Sequence, residues 1–299
     1  MKKSIQTIVL VALLGLVCLT HFNCYVTTFR RSDDATLAYF KSKGLNATIS
    51  YYMSEGRKIR YASIGTDTLP AILMIHGAPS SLNINQRLLA DSVLLAHAKL
   101  YAIDRPGYGY SGFGRAVTSI EAQARMIIPL LEDIRKRHKK TIVEGISFGG
   151  PIAIKIAALR PDLIDGILLG APAVAPGQET YFDISYAMRV PLLKHLFPRM
   201  LVVATDEKWA HRRELEKMLP DWASIRIPIV FVQGEKDEIV NPVTTPIFVR
   251  ERLINASSLE VIMIPNQRHF LTFPQHQLLV QQLLSLVKIQ QAETIPPLK

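Results

Sequence analysis

Ser147 stands in Gly145-Ile146-Ser147-Phe148-Gly149, with Gly150 directly behind it, so a hydroxyl is flanked by residues without side-chain bulk. A serine hydroxyl is a poor nucleophile at neutral pH and needs a base to take its proton, usually with a carboxylate to orient that base. Both types occur further along, Asp237 in the stretch GEKDEIV and His269 in NQRHF. In the order Ser147, Asp237, His269 these residues are candidates for nucleophilic acyl transfer. The oxyanion of such a reaction needs backbone donors fixed in advance. His76-Gly77-Ala78-Pro79 offers the amide of Ala78, and the residue after the serine offers that of Phe148.

Each candidate falls just beyond an apolar run. The runs are Ala71 to Ile75, Leu100 to Ile103, Thr141 to Val143, Gly166 to Leu169, Ile229 to Val232 and Leu259 to Ile264. Runs so apolar suit central strands covered on both faces. Helical patterns alternate with them near Ile84 to Leu95, Ser119 to Arg137, Phe148 to Leu159, Pro242 to Leu253 and Pro274 to Ile289. Ahead of all these, Ala47 to Met53 and Lys58 to Ile64 read as a hairpin around Ser54-Glu55-Gly56-Arg57. The predicted fold class is α/β, a mostly parallel central sheet with helices on both faces. Ligands bind such sheets at the carboxyl ends of the strands, where these candidates fall. Residues 176–226 break the rhythm with amphipathic material and no convincing strand, which predicts a small helical cap insertion.

Five ordered segments, HGAP at 76–79, DRPGYGYS at 104–111, GISFGG at 145–150, GEKD at 234–237 and His269, resemble those of the α/β-hydrolase-fold superfamily, in its capped serine-hydrolase form. The resemblance covers roughly residues 50 to 290. It implies a Ser/Asp/His triad, an oxyanion hole beside the His-Gly turn and a substrate cleft under the cap. It also implies that His76 shapes the oxyanion loop, and that Asp104 and Arg105 brace the site. Tyr108, Tyr110 and Ser111 are expected to line the cleft, and Met188, Leu192, Leu196 and Phe197 of the cap to face an acyl group or pack. A serine at the strand-to-helix turn, where a carboxylate would be needed to form an alkyl-enzyme ester, argues against dehalogenase or epoxide-hydrolase chemistry. The expected reaction is hydrolysis of a small or lipid-like carboxylic ester, with no cofactor. Peptidase, thioesterase, carbon–carbon bond hydrolase and perhydrolase chemistry share the triad, and a silent binding protein would share the fold. The turn reads HGAPS rather than the HGGPG often found in peptidases of this type.

Composition bounds the rest. A chain of 299 residues accommodates one large domain with a modest insertion. The formal charge of +10 is dispersed except at Arg135-Lys136-Arg137-His138-Lys139-Lys140, which ends a predicted helix where cations complement the dipole. No nucleic-acid motif accompanies it, so nucleic acid is not an expected partner. His195 and His211 have no neighbour at metal-ligand spacing, and no metal is expected. Two lysines and an apolar run from Ile8 to about Thr20 open the chain, which reads 1–26 as a signal peptide, lipoprotein leader or signal anchor. Both cysteines, Cys18 and Cys24, lie there and leave the body without a disulfide framework. Lipidation at either is testable by mass spectrometry of the N-terminal peptide. The expected division is leader 1–26, linker 27–46, hydrolase domain 47–290 with its cap at about 176–226, and tail 291–299. Export or membrane anchoring at a bacterial cell envelope follows, with the N-terminal segment against the membrane surface.

Overall fold

The computed structural model of the protein describes residues 30–289. The expected leader with Cys18 and Cys24, and the tail at 291–299, lie outside the described residues. The sheet has eight strands: β1 (Ala47–Ser54), β2 (Arg57–Ile64), β3 (Ala71–Ile75), β4 (Lys99–Ile103), β5 (Thr141–Ile146), β6 (Gly166–Gly170), β7 (Ile229–Gly234) and β8 (Leu259–Ile264), in the order β1-β2-β4-β3-β5-β6-β7-β8. The β1–β2 hairpin and the β2–β4 pair are antiparallel, and every later pair is parallel. Because β3 lies between β4 and β5, the chain leaves it first toward one edge and then crosses back toward the other. The crevice at this reversal opens beyond the carboxyl ends of β3 and β5.

Strand side chains alternate between two cores, as a period of two requires. Leu73, Ile75, Val143, Ile167, Leu169 and Phe231 face one, which α4 (Ile120–Arg137) and α5 (Gly149–Leu159) cover. Ile72, Met74, Ile142, Leu168, Val230 and Val232 face the other, covered by α1 (Asp33–Lys41) and by α9 (His276–Lys288). A further helix, α8 (Thr244–Arg252), supplies Val249 to the first core.

Two sequence expectations require correction. The described part of the expected linker, from Arg30 to 46, is not simply a linker: the Ser32 hydroxyl caps α1 by accepting from the Ala35 amide, and Phe40 is fully buried in the second core. The single helix expected over 84–95 divides into α2 (Gln86–Leu89) and α3 (Ser92–Leu95). Asp91 causes the break, since its carboxylate accepts from the Val93 and Leu94 amides and starts a new helix there.

Residues 176–226 hold α6 (Asp183–Arg189), α7 (Arg199–Lys217) and two 3-10 turns, Leu193–Leu196 and Leu219–Ser224, with no strand. This segment shares its interior with the body. Leu215, Met218 and Trp222 enter the first core, while Met200 and Val203 pack on Tyr108.

Candidate active site

Ser147 follows β5 immediately and precedes α5, with φ at +51°, the left-handed region that only strain-tolerant positions adopt. The turn is held on both sides. The Ser147 amide donates to the Gly170 carbonyl (2.8 Å), and the Ser147 carbonyl accepts from Gly150 (3.0 Å) and Ala173 (3.1 Å). Space dictates the glycine after it: a methyl group at Gly149 would lie 2.1 Å from the Ile75 carbonyl oxygen. The same closeness recurs at the HGAP turn, where a methyl at Gly77 would lie 2.9 Å from Ser147 Cβ. The loop carrying Ala78 therefore rests against the serine.

The strand ends bring the other candidates to this point. His269 Nε2 is 3.1 Å from Ser147 Oγ, and His269 Nδ1 is 2.8 Å from Asp237 Oδ2 and 3.0 Å from Oδ1. Asp237 is buried and accepts from the Ile239 and Val240 amides (2.9 Å each) and from Gln233 Nε2 (3.3 Å). A carboxylate so surrounded by donors is pinned in orientation, and the imidazole with it. The histidine then carries its proton on Nδ1 and turns Nε2 to the hydroxyl. Ser147 is partly exposed while Phe148 is buried behind it.

His76 does not face the hydroxyl. Its Nε2 accepts from the Arg105 amide (3.0 Å), which leaves Nδ1–H to donate to the Gly77 carbonyl (2.7 Å). Complete burial, with the Arg105 charge beside it, pushes its pKa well below the usual histidine range, so it is a neutral brace of the loop.

Arg105 reaches further than a local turn. Its fully buried guanidinium donates to the carbonyls of His76 (2.8 Å) and Gly77 (3.2 Å), to Gln123 Oε1 (2.7 Å) and to Glu207 of α7 (2.9 and 3.2 Å). Burial opposes the charge, yet Glu207 and Tyr108 outweigh it and hold the Arg105 pKa above its ordinary value. Tyr108 donates to Glu207 Oε2 (2.6 Å), and Gln123 Nε2 to Glu207 Oε1 (2.7 Å). One carboxylate of α7 thus anchors the network that shapes the HGAP turn. Asp104, equally buried, accepts from the Leu82 and Tyr110 amides and from Arg60.

Several expected cleft residues sit elsewhere. Tyr108 is fully buried in the Glu207 network, the Ser111 hydroxyl accepts from the Arg60 amide (2.8 Å), and Tyr110 lies beneath the Arg30 and Arg60 guanidiniums. In the cap, Met188 is buried and accepts through Sδ from Thr205, whereas Leu192 and Leu196 are exposed. Tyr108, Tyr110, Ser111 and Met188 each found a nearer partner than the cleft.

The neighbourhood also holds residues that motif reading passed over. The His211 ring lies 4.8 Å from the Phe148 ring, whose other neighbour is the Arg105 guanidinium at 4.7 Å. Its Nδ1 is 3.5 Å from Glu179 Oε1, and both side chains are buried. Burial raises the Glu179 pKa, but the contact with His211 and nearby backbone donors outweigh it and set it below the usual carboxylate range. Glu179 also lines a cavity of about 360 Å³ whose wall includes Asp237, Glu238, Ile239 and Asn241. Glu179, Glu207 and His211 carry no short motif, and each becomes visible only when residues 176–226 are folded onto the body. Among the described residues no cluster of three or more His, Cys, Asp or Glu residues could hold a metal ion.

This arrangement has relatives. The dihydrolipoyllysine-residue acetyltransferase component of an acetoin-cleaving system from Pseudomonas putida is 27% identical over 55% of this chain and 43% of its own. The chain thus spans less than half of that relative. Lipase LipV of Mycobacterium tuberculosis is 26% identical over 62% of this chain and 78% of its own. The crystal structure of a bacterial membrane phospholipase A superposes with a TM-score of 0.65 at 20% identity, over 96% of this chain and 98% of the other, a likeness of fold. The family model described as "Serine aminopeptidase, S33" matches residues 67–219, from the approach to β3 to the start of the turn Leu219–Ser224. On that match over half its length, the chain belongs to the S33-type family of α/β-hydrolase-fold serine hydrolases.

Proposed function

We propose that the protein is a serine esterase that transfers the acyl group of a small or lipid-like carboxylic ester to water. The observation that carries this reading is the continuous relay from Ser147 Oγ through His269 to Asp237, at 3.1 and 2.8 Å. Ser147 Oγ attacks the ester carbonyl carbon as His269 Nε2 takes its proton. The carbonyl oxygen becomes an oxyanion, received by the Ala78 and Phe148 amides. The ester C–O bond then breaks, and His269 returns the proton to the leaving alcohol. Water attacks the acyl-serine with His269 again as base, releasing the acid and restoring the hydroxyl. Asp237 holds the tautomer and stabilises the imidazolium.

The N-terminal segment, with Lys2, Lys3 and the apolar run from Ile8, is proposed to hold this enzyme at a bacterial envelope membrane. The residues at 176–226 are proposed to form the cap over the substrate cleft.

Hydrolysis of p-nitrophenyl esters of increasing acyl length tests the reading, with Ser147→Ala as the comparison. The variant is expected to lose about 10⁴-fold or more of kcat while staying folded. Equal activity in both proteins removes the proposal. A second reading has one observation in its favour: Glu179 and Glu238 line the cavity beside Asp237 and would attract a free α-amino group. Cleavage of aminoacyl p-nitroanilides in preference to esters would favour a peptidase on the same triad.

A further inference from the structure

The cap carries a surface that the chemistry of Ser147 does not use. Seven of the fifteen large apolar side chains left exposed among the described residues lie between Phe182 and Leu196, Leu192 at 81% and Leu196 at 64%. From Arg189 to Leu196 every residue is exposed. Apolar exposure concentrated in this way in one segment marks a contact surface rather than chance exposure. Basic residues are interleaved with it. Arg189, Lys194 and Arg199 are exposed, as are the nearby acids Asp183 and Asp206. The Arg189 guanidinium lies 4.3 Å from the Trp209 ring centre, and the charges of Lys194 and Arg189 act on Asp206 against the effect of its burial.

The chain's own path adds an independent constraint. Arg30, the first described residue, donates to the Gly109 carbonyl (2.8 Å), and its guanidinium lies 4.4 Å from the Phe113 ring centre. Phe113 packs with Met200 and Val203 of α7, and a methyl at Gly114 would meet Arg199 Cδ at 2.9 Å. The chain therefore enters the fold beside the start of α7, next to the exposed turn Leu193–Leu196. Twenty-nine residues precede that point, and they include the two lysines and the apolar run Ile8 to Thr20.

We propose that the cap segment 182–197 is a lipid-docking surface, which lays its apolar side chains into an anionic bilayer while Arg189, Lys194 and Arg199 meet the headgroups. Alternating basic and apolar side chains suit an anionic membrane interface. The same bilayer is within reach of the N-terminal segment, so the protein would contact it at two points and present the cap to it. This inference goes beyond the esterase reading, and its test needs no turnover.

Hydrogen exchange of the full chain, followed by mass spectrometry, tests it with and without vesicles rich in phosphatidylglycerol. Amides at 184–197 are expected to exchange more slowly on those vesicles. With each basic residue worth several-fold near an anionic surface, the protection should need about 10²-fold more lipid when the vesicles are pure phosphatidylcholine. The double variant Leu192→Asp, Leu196→Asp should keep the wild-type thermal midpoint and lose the protection. Four outcomes overturn the proposal. Vesicles could bind the chain and leave 184–197 unchanged. Protection could rise with protein concentration without lipid, which assigns the surface to a second copy. It could be present without lipid at every dilution, which assigns it to the chain's own N-terminal segment. Equal protection on both vesicle types would remove the anionic bilayer as the occupant.

Discussion

At the residue scale the site is decided by who holds each polar group. Asp237 receives two backbone amides and one side-chain amide besides His269, so it orients the imidazole without moving itself. Asp237→Asn should preserve much of this geometry but favour the wrong imidazole tautomer. On the proposed mechanism kcat for a p-nitrophenyl ester should then fall by about 10³- to 10⁴-fold with little change in KM. Glu144 presents the opposite case. It lies on β5 three residues before Ser147, is fully buried, and neither carboxylate oxygen has a partner. Burial pushes its pKa up to about 8. Between the unfolded carboxylate value and that figure, the folded state keeps a proton that the unfolded state has released. Stability from this group is therefore full below the unfolded pKa and is lost as pH rises through about 8. Glu144→Gln should match the wild type near pH 5 and exceed its unfolding free energy above pH 8, as read from urea melts at the two pH values.

At the element scale the strands were legible because their runs are dominated by apolar residues and alternate with helical patterns. The apolar run Ala71 to Ile75 is a fully buried strand from end to end, and the hairpin at 47–64 forms around Glu55-Gly56. The turn at Ser147 was legible for a steric reason, since only glycine fits where Gly149 approaches the Ile75 carbonyl. What escaped was of two kinds. Helix α1 signals itself only through Ser32-Asp33-Asp34 and has little amphipathic contrast, yet Phe40 fixes it to the core. Phe40→Ala should lower stability by about 3–5 kcal/mol in urea unfolding. The partnership of Arg105 with Glu207 spans 102 residues, and no local pattern announces a pair at that separation. Glu207→Ala would leave a guanidinium buried without its counter-charge. The expected loss is about 3–5 kcal/mol. Because Arg105 also carries the His76 and Gly77 carbonyls, ester hydrolysis by the folded fraction should fall too.

At the scale of the whole molecule, residues 176–226 and the body are one structure. Leu215, Met218 and Trp222 share the core under α5, and Glu207 closes the network around Arg105. Calorimetry should therefore record a single transition whose calorimetric and van't Hoff enthalpies agree. Two separate transitions would show that the cap melts by itself.

The Arg105–Glu207 pair has a consequence for anyone wishing to retarget this enzyme. Residues 176–226 are contiguous in sequence, so on the proposed reading they invite exchange as a block. Here the graft cannot be judged by its fit to the cleft alone. A donor cap must deliver a carboxylate to the point Glu207 now occupies, or the recipient must give up Arg105 and find another support for the loop that carries Ala78. The exchangeable unit is the cap together with the arginine beneath it.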